Sequence, residues 1–396
     1  MDVEAGASSP QPIRLPALFL KFLGFGLLAF GGPVAQIAML RQRLVEEERW
    51  IDRPRFNRLL AVLQVLPGPE AHELCVHFGM IARGRAGGVL AGLGFMLPGF
   101  LLMLAIGWLY VSAIAGHGAW TGPLLGIQVV VLAVILRAMI RIGQHILEDL
   151  WLWGIAAGSL AATLIGTPFW LPLIAGGAVY ALRSRPVPVM AVLVSAAGLA
   201  FAVHCQSLAG PATGSATIPV TTLALFWAGL KGGLLTFGGA YTAIPYVRSD
   251  TVSRGWISDA SFLDGVALAG VLPAPLVIFA TFVGYVAGGL SGALAITAGM
   301  FLPAFGFSLI FFERLEIIIE HPSLHRLLAG IAAAVVGVIA ATFIQLALAT
   351  GARVAVPSIA ILLFVCALAA AWRLKGAWVT PAVLATGALI GTVIAI

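Results

Sequence analysis

Long uncharged stretches separated by short polar segments run along the whole chain. Five of them contain no Asp, Glu, Lys or Arg, namely 86–116, 150–182, 265–312, 327–352 and 376–396. Roughly 20 consecutive apolar residues are enough to span a bilayer as an α-helix. Membrane β-barrels instead alternate polar and apolar residues over short strands. The pattern therefore predicts an all-α polytopic membrane protein.

Both halves of the chain predict the same order of segments. A first apolar segment is interrupted by Gly-Gly, a polar loop with a Trp follows, and a second apolar segment is interrupted by Leu-Pro-x-Pro. Two long helices and shorter apolar pieces complete each half. The segments are predicted at 17–44, 45–57, 58–81, 86–113, 122–145, 150–166, 168–182 and 187–204, and again at 220–247, 248–261, 262–287, 290–312, 325–350, 355–372 and 377–396.

These matching motifs indicate an internal duplication. Phe-Gly-Gly at 30–32 returns at 237–239, and Leu-Pro-x-Pro at 66–69 returns at 272–275. The separation is about 205 residues for every matched motif, as expected for a duplicated unit. We predict a cytoplasmic N-terminal tail at 1–15, a first transporter repeat at 16–205, an uncharged linker at 206–219 and a second transporter repeat at 220–396.

The interruptions predict half-helices. Gly31-Gly32-Pro33 and Leu-Pro-x-Pro divide their segments into pieces too short to span a bilayer. A proline inside a helix removes a hydrogen bond, and in lipid the freed carbonyl must be satisfied by protein or by a water-filled cavity. Each interrupted segment is therefore predicted to be a pair of half-helices, which can enter and leave on the same side.

Charge sets the predicted topology. The net charge is +6, and most of the excess lies in Lys and Arg of loops that stay in the cytoplasm, so nucleic acid is not predicted as a partner. The first-half loop is rich in Arg, whereas the matching loop at 248–264 has lost that basic excess. We therefore predict two inverted-topology repeats in the cell (inner or plasma) membrane, with several passes. The polar N-terminus lacks a signal-peptide cleavage site.

The interruptions are also the candidate substrate site. Pro33 and Pro69 are placed to open new half-helices, whose unpaired N–H groups and positive dipole ends attract anions. Tight helix packing through glycine is the alternative, and Lys21 and Lys231 can instead extend to the interface. The predicted substrate-binding residues are Lys21, Phe30, Gly31, Gly32, Pro33, Pro67, Gly68, Pro69, Lys231, Phe237, Gly238, Gly239, Pro273 and Pro275.

Four ionisable residues follow Pro69 directly and are the candidate proton-coupling group: Glu70, His72, Glu73 and His77. Ionisable groups at bilayer depth are costly and point to function, and burial favours the proton-carrying form of a carboxyl group. A structural network, or a helix end near the interface, is the alternative. His72 and His77 are five residues apart, whereas a zinc protease helix needs four, so we predict no metal and no cofactor.

Other polar and aromatic residues receive structural interpretations. Arg137 and Arg141 are predicted near an inner helix end, and Trp50, Trp256, Trp108 and Tyr110 as interfacial anchors. The three cysteines form no disulfide or metal-binding pattern.

Together these motifs resemble the chromate ion transporter family in its long, two-domain form. The resemblance rests on Phe-Gly-Gly-Pro at 30–33, Leu-Pro-Gly-Pro-Glu at 66–70, Phe-Gly-Gly at 237–239 and Gly-Trp-Ile-Ser with Phe-Leu-Asp-Gly at 255–265, and it covers nearly the whole chain. Many members have an amide residue at the position of Glu70, and Gly at that of Ala274.

The resemblance implies a secondary transporter, not an enzyme, that exports chromate using a proton gradient or the membrane potential. The expected partners are a small oxyanion and the lipid bilayer, with a homodimer left open. A sulfate or other anion carrier, a passive anion channel and an intramembrane enzyme are the alternatives.

Overall fold

The computed structural model describes residues 13–30, 32–63, 66–114, 120–168, 170–209, 219–236, 240–310, 322–374 and 379–394. These residues form helices α1 Leu15–Leu27, α2 Gly32–Leu40, α3 Arg53–Leu63, α4 Glu70–Leu109, α5 Thr121–Ile146, α6 Leu150–Leu164, α7 Trp170–Ala181, α8 Pro186–Ala209, α9 Thr222–Leu234, α10 Ala243–Thr251, α11 Asp259–Val271, α12 Phe279–Ile310, α13 Pro322–Gly351, α14 Pro357–Arg373 and α15 Val379–Ile394. π-Helical turns extend α2 over Arg41–Glu47 and α4 over Tyr110–Ile114, and 3₁₀ turns at Ala240–Thr242 and Leu276–Ile278 precede α10 and α12.

Four helical stretches are long and apolar enough to cross a membrane, at Glu70–Ile114, Thr121–Ile146, Leu276–Ile310 and Arg326–Gly351. Large apolar side chains, among them Trp108 and Trp153, are exposed on the outside of the bundle, as expected for a surface that faces lipid. The prediction of an all-α polytopic membrane protein is confirmed.

Helix α4 folds back on itself near its first third. Gly84 has φ +59, a left-handed conformation that glycine adopts without a steric penalty. Residues on the two sides of this bend lie close together. A Cβ atom added at Gly79, before the bend, would strike the carbonyl oxygen of Gly87 after it, and one added at Gly92 would strike Val76. The short first part of α4, up to the bend, therefore runs antiparallel to the long remainder.

Helix α12 repeats the same bend in the second half of the chain. Gly289 has φ +62, and the hydroxyl groups of Thr281 and Thr297 lie 2.7 Å apart across the bend. A Cβ atom at Gly284 would strike Gly292, as Gly79 does Gly87. The bend is thus a feature of the duplicated unit.

The interrupted segments fold as hairpins whose two arms lie side by side. The rings of Phe56 on α3 and Phe78 on α4 stack with centroids 6.4 Å apart, although a straight helix would separate them by about 33 Å. Phe262 on α11 and Phe279 on α12 repeat this contact at 5.6 Å. The Leu-Pro-x-Pro motif is the tip of each hairpin.

The Gly-Gly segments form a second pair of hairpins. In the first half, the ring of Phe22 on α1 lies 6.4 Å from Trp50, which follows α2. In the second half, a Cβ atom added at Gly232 on α9 would lie 3.0 Å from Val247 on α10. The prediction of half-helix pairs is therefore confirmed. In each pair the two arms run antiparallel, so that the chain returns to the side from which it came.

The two halves exchange their terminal helices. Helix α5 packs against α14 and α15, whereas its second-half counterpart α13 packs against α6 and α7. Glycines permit close approach at both crossings, because a Cβ atom at Gly126 of α5 would strike Gly387 of α15, and one at Gly330 of α13 would strike Gly176 of α7. The inversion of the two halves stays a prediction.

Several predicted boundaries are wrong for local reasons. Helix α3 begins within the predicted loop 45–57, because the Asp52 carboxylate accepts the N–H of Arg55 at 2.6 Å and caps the helix. Helix α11 likewise begins early, because the Ser258 hydroxyl accepts the N–H of Ser261 at 3.1 Å. Helix α8 ends at Ala209, and the division into two repeats joined by a linker at 206–219 stays a prediction.

Three of the predicted interfacial anchors are buried. Trp50 packs against Phe78 with ring centroids 6.2 Å apart, and Trp256 is also in the core. Tyr110 is 5% exposed and donates its hydroxyl proton to Asp264 at 2.7 Å. These aromatic rings pack inside the protein because polar or charged side chains there satisfy their polar edges.

Candidate functional site

The tips of the four hairpins meet. We call the described segments 28–30 and 235–236, together with Gly32, the glycine tips, and 66–69 and 272–275 the proline tips. The N–H of Gly68 donates to the carbonyl oxygen of Thr236 at 2.8 Å. The Nε2 atom of Gln36 donates to the carbonyl oxygens of Ala29 at 2.8 Å and Ala274 at 2.9 Å. Each glycine tip therefore contacts the proline tip of the other half.

Most predicted substrate-binding residues lie at these tips. Phe30, Gly32, Pro33, Pro67, Gly68, Pro69, Pro273 and Pro275 are in or directly beside them. Gly31, Phe237, Gly238 and Gly239 lie outside the described residues. Gly32 has φ +78 and Gly68 has φ +149, so both occupy backbone conformations that favour glycine.

A helical turn begins directly behind every tip. These turns start at Gly32, Glu70, Ala240 and Leu276. Pro33 lies in the first turn of α2, and Pro69 is the residue before α4, as predicted for prolines that open half-helices. The first N–H groups of a helix lack intrahelical partners and carry the positive end of its dipole. Helix starts that lie close to one another favour a negative charge between them.

The two predicted lysines contact acidic side chains near the Trp loops. Lys21 forms an ion pair with Glu48, and its Nζ lies 5.1 Å from the centre of the Trp50 ring. Lys231 lies 3.2 Å from the Asp250 carboxylate, which Arg254 also contacts at 3.1 Å. Both lysines are therefore neutralised, Lys21 about two helical turns and Lys231 about one turn before the corresponding glycine tip. Their role in substrate binding stays a prediction.

Three of the four predicted proton-coupling residues occupy one buried place beside the first proline tip. Glu70 and Glu73 are 7% and 0% exposed, and a Cβ atom added at Gly68 would lie 2.5 Å from the Glu73 carboxylate. His72 lies edge-on to Phe301 and Phe305 of α12, with ring centroids 5.0 and 4.7 Å away. The group thus faces the second half of the protein.

Glu73 and His72 are among the buried polar side chains of the described residues that have atoms without a hydrogen-bond partner. Among the described residues, neither carboxylate oxygen of Glu73 has a hydrogen-bond partner. The ring nitrogens of His72 also lack one at bonding geometry, with the carbonyl oxygen of Gly92 their polar neighbour. His77 lies further along the helix, within electrostatic range of Arg55. Within the described part of the chain, no three His, Cys, Asp or Glu side chains are grouped as metal ligands.

A second buried polar network was missed because Asp264 was assigned to a loop. Asp264 lies in α11, where Gln128 Nε2 donates to one carboxylate oxygen at 2.7 Å and the Tyr110 hydroxyl to the other at 2.7 Å. Arg353 donates to Gln128 Oε1 at 3.0 Å. The Ser258 cap, followed by an apolar run, was the signal that would have placed Asp264 in a helix. Gln36 carried no such signal.

Comparison with known proteins agrees with this architecture. The chromate transporter family matches residues 16–182 and 223–392. A chromate transport protein of Pseudomonas aeruginosa is 56% identical over 372 residues, covering 92% of this chain and 89% of that protein. A chromate transport protein of Cupriavidus metallidurans is 31% identical over 353 residues, covering 87% and 85%.

More distant relatives are also transporters by name. An uncharacterised transporter of Methanocaldococcus jannaschii is 28% identical over 303 residues, covering 73% of each chain. No solved structure matches this chain. The match of the family to both halves of the chain, together with the long relatives at high coverage, shows that this multi-pass protein of the cell membrane belongs to the chromate transporter family.

Proposed function

We propose that this protein is a secondary active transporter that exports chromate and binds it where the four hairpin tips meet. The observation that carries the proposal is the pair of contacts between the tips, Gly68 with Thr236 and Gln36 with Ala29 and Ala274. A helical turn begins directly after each tip, at Gly32, Glu70, Ala240 and Leu276. The family membership supports a role in chromate transport. The site, the export direction and the energy coupling are the proposed elements.

The chemistry of the tips suits a tetrahedral dianion. Chromate has four oxygen acceptors that point in different directions, and backbone N–H groups from four separate turns can approach it from several sides. Glycine at the tips allows the backbone to come close to the anion, because no Cβ atom intervenes. Sulfate has the same shape and charge, so a sulfate carrier is the second candidate.

Glu70 and Glu73 give the site a means of coupling substrate to protons. An ionised carboxylate beside the tips would repel a dianion, whereas the protonated group would not. A Cβ atom added at Gly68 would meet both the Glu73 carboxylate and the Cβ of Ala304 of α12. Arg55 of α3 lies within electrostatic range of His77. We propose that proton binding at this pair and anion binding at the tips depend on each other.

The duplicated hairpins give the halves a symmetric means of changing access. We propose that the two repeats are inverted, as their loop charges predict, and that they rock about the contacts Gly68–Thr236 and Gln36–Ala274. Each contact joins the glycine tip of one half to the proline tip of the other, so relative movement of the halves changes the site from both sides.

Flux into proteoliposomes tests the proposal. Radiolabelled chromate and sulfate are followed while the pH gradient and the voltage are imposed independently. We expect chromate to accumulate above its equilibrium level when one of the gradients is imposed. Accumulation that never exceeds electrochemical equilibrium would identify a passive anion channel. Accumulation of sulfate without accumulation of chromate would make sulfate the substrate.

A further inference from the structure

A cavity that contains two arginines lies at the end of α2. Its volume is about 640 Å³, and its lining includes Ala38, Arg41, Glu46 and Arg53. Pockets that bind small ligands have volumes of about 300–1,000 Å³, so this cavity is large enough for a ligand. The side chains of Arg41 and Arg53 are 43% and 69% exposed. An ion in solution can therefore reach both of them.

The π-helical turn Arg41–Glu47 brings the charged side chains of this cavity together. Arg41 and Glu46 are five residues apart, and in an α-helix such residues point about 140° away from each other. A π-helix pairs residues at this spacing, and here Arg41 Nε donates to the Glu46 carboxylate at 3.4 Å. π-Helical turns are rare and recur at functional sites. The backbone of this turn thus arranges the charges of the cavity.

The two arginines share the carboxylate of Glu46. Arg53 donates to it through Nε at 2.7 Å and through one terminal nitrogen, whereas Arg41 donates through Nε. The other three terminal nitrogens of the two guanidinium groups have no hydrogen-bond partner among the described residues. The Arg41 guanidinium also lies 5.9 Å from the centre of the buried Phe56 ring, a cation–π contact that holds it in place. The group therefore has one excess positive charge and several unused donors.

The corresponding residues of the second half neutralise each other. Counted from the Phe-Gly-Gly motifs, Arg41 corresponds to Arg248, and counted from the Leu-Pro-x-Pro motifs, Arg53 corresponds to Asp259. Arg248 and Asp259 form an ion pair at 2.7 Å. The first half thus has an arginine where the second half has the carboxylate that neutralises its partner. Because the duplicated fold does not need this excess charge, the charge of the first half points to a ligand.

We propose that Arg41 and Arg53 bind a tetrahedral oxyanion in this cavity and that the anion passes from there to the hairpin tips. Its passage to the tips rests on the proposed function, whereas its binding does not. Each guanidinium presents N–H donors in a planar fork that matches two oxygens of such an anion. Exposed ion pairs contribute little to stability, so a dianion can displace the single charge of Glu46.

The cavity lies close to a glycine tip. Ala38, in its lining, is about 9 Å along α2 from Gly32, the tip residue at which this helix begins. A positively charged cleft raises the local concentration of an anion and its rate of association, so anions would gather beside the transport site. The phosphate of an anionic lipid headgroup presents the same oxygens and is the second source of a ligand with this chemistry.

Equilibrium binding of radiolabelled sulfate to the purified protein in detergent tests the site, with size-exclusion profiles to verify folding. We expect R41Q/R53Q to bind one sulfate fewer per chain than the wild type. E46Q should bind this sulfate about fivefold more tightly, because a competing negative charge is removed. R43Q is the matched control, since Arg43 lies on the same π-helical turn and pairs with Glu47 but does not line the cavity. It should stay within about twofold of the wild type.

Chromate flux into phosphatidylcholine proteoliposomes tests the passage of the anion to the tips. At low ionic strength, R41Q/R53Q should lower kcat/KM by about tenfold and leave kcat within about twofold, because the cavity acts on the arrival of the anion. This loss should disappear at about 1 M salt, where the Debye length is about 3 Å. A wild-type kcat/KM in this variant at low ionic strength would overturn the capture role.

Added lipids distinguish the two sources of the ligand. Displacement of bound sulfate by dioctanoyl phosphatidylglycerol, but not by dioctanoyl phosphatidylcholine, would identify a lipid headgroup as the occupant and overturn the capture role. Displacement by neither lipid would support a free oxyanion.

Failure of the proposed function would be recognised separately. If the wild type moved neither chromate nor sulfate, the proposed function would fail, and sulfate binding would still decide whether the cavity is an anion site. Wild-type sulfate stoichiometry in folded R41Q/R53Q would overturn the inference. Where that variant does not fold, unchanged or weaker sulfate binding by E46Q would overturn it, because only a competing carboxylate predicts tighter binding.

Discussion

The side-chain amide of Gln36 donates to the carbonyl oxygen of Ala274 at 2.9 Å, across a sequence separation of 238 residues. The same nitrogen donates to the carbonyl oxygen of Ala29 at 2.8 Å, so one buried side chain holds a glycine tip and a proline tip together. Both carbonyls belong to interrupted helices and lack the intrahelical partner they would have in a continuous one. The Gln36 side-chain amide therefore supplies the hydrogen-bond donors that these two carbonyl oxygens lose at the interruptions.

Replacing Gln36 by Leu should destabilise the protein and abolish transport. The substitution leaves two carbonyl oxygens at the tips unpaired, at a cost of about 1–3 kcal/mol each. Thermal unfolding in detergent and chromate flux measure the two effects. Q42L is the control, because the Gln42 side chain is exposed and donates to the Glu47 carboxylate at 3.3 Å. A Q36L protein with wild-type flux would show that the clamp is dispensable.

Replacing Gly68 by Ala should lower stability and impair the first proline tip. Alanine at φ +149 is strained, by about 1–2 kcal/mol for backbone conformations of this kind, and its Cβ would press on the Glu73 carboxylate. G198A is the control, because a Cβ there meets nothing within 4 Å and should be neutral or slightly stabilising. Equal melting temperatures for G68A and the wild type would contradict the described tip.

Glu70→Gln and Glu73→Gln should each weaken the pH dependence of chromate flux. The glutamine side chain keeps the size of the carboxyl group but does not ionise, so it cannot gain and release a proton during transport. Initial rates are measured from pH 5 to pH 9, a range chosen on the reference values of carboxyl and imidazole groups. Glu148→Gln, in the exposed α5–α6 connection, is the control. Unchanged pH profiles in both variants would remove these residues from the coupling.

Asp264→Asn should destabilise the fold more than Asp259→Asn does. At Asp264, the incoming amide hydrogens face the donors of Gln128 or Tyr110, so buried groups lose a partner at about 1–3 kcal/mol. Asp259 forms a partly exposed ion pair with Arg248, and such pairs contribute about 0–1 kcal/mol. The melting temperatures of the two variants measure this difference. A lower melting temperature for the Asp259 variant than for the Asp264 variant would argue against a structural role for the network.

Asp149 should contribute stability that disappears in acid. Partial burial acts to raise its pKa, but the N–H of Leu152, the Tyr180 hydroxyl and the Arg183 charge outweigh this and lower it. A lowered pKa means that the stabilisation is complete above the ordinary carboxyl range and is lost as the pH falls through the folded-state value. Asp149→Ala removes the cap of α6 at a cost of about 1 kcal/mol, which melting curves at neutral pH should show. The difference from the wild type should shrink as the pH is lowered.

Much of this architecture could be predicted from local sequence motifs. Glycine and proline at the interruptions predicted half-helices because their backbone restrictions are local and independent of context. The meeting of Gly68 with Thr236 could not be predicted in this way, because it depends on how hairpins from two halves pack. Gln36 was overlooked for the same reason, since the role of a single polar residue in an apolar helix depends on which groups lie opposite it.

The buried aromatic and acidic residues show a second limit. Trp50 and Tyr110 were assigned to the lipid interface because amphipathic rings favour it. Their partners, Glu48 in the same loop and Asp264 of α11, accept their N–H and O–H groups and allow the rings to be buried instead. A prediction from one sequence uses the average environment of a residue type, which such partners override.

The exchange of terminal helices has a consequence for biogenesis. When α5 enters the bilayer, the ribosome still has more than two hundred residues to add before α15 exists. Until then, the glycine-lined groove around Gly126 that will receive Gly387 is solvated by lipid tails. Assembly of the first half therefore finishes only after translation of the second, because α5 packs against the last two helices of the chain.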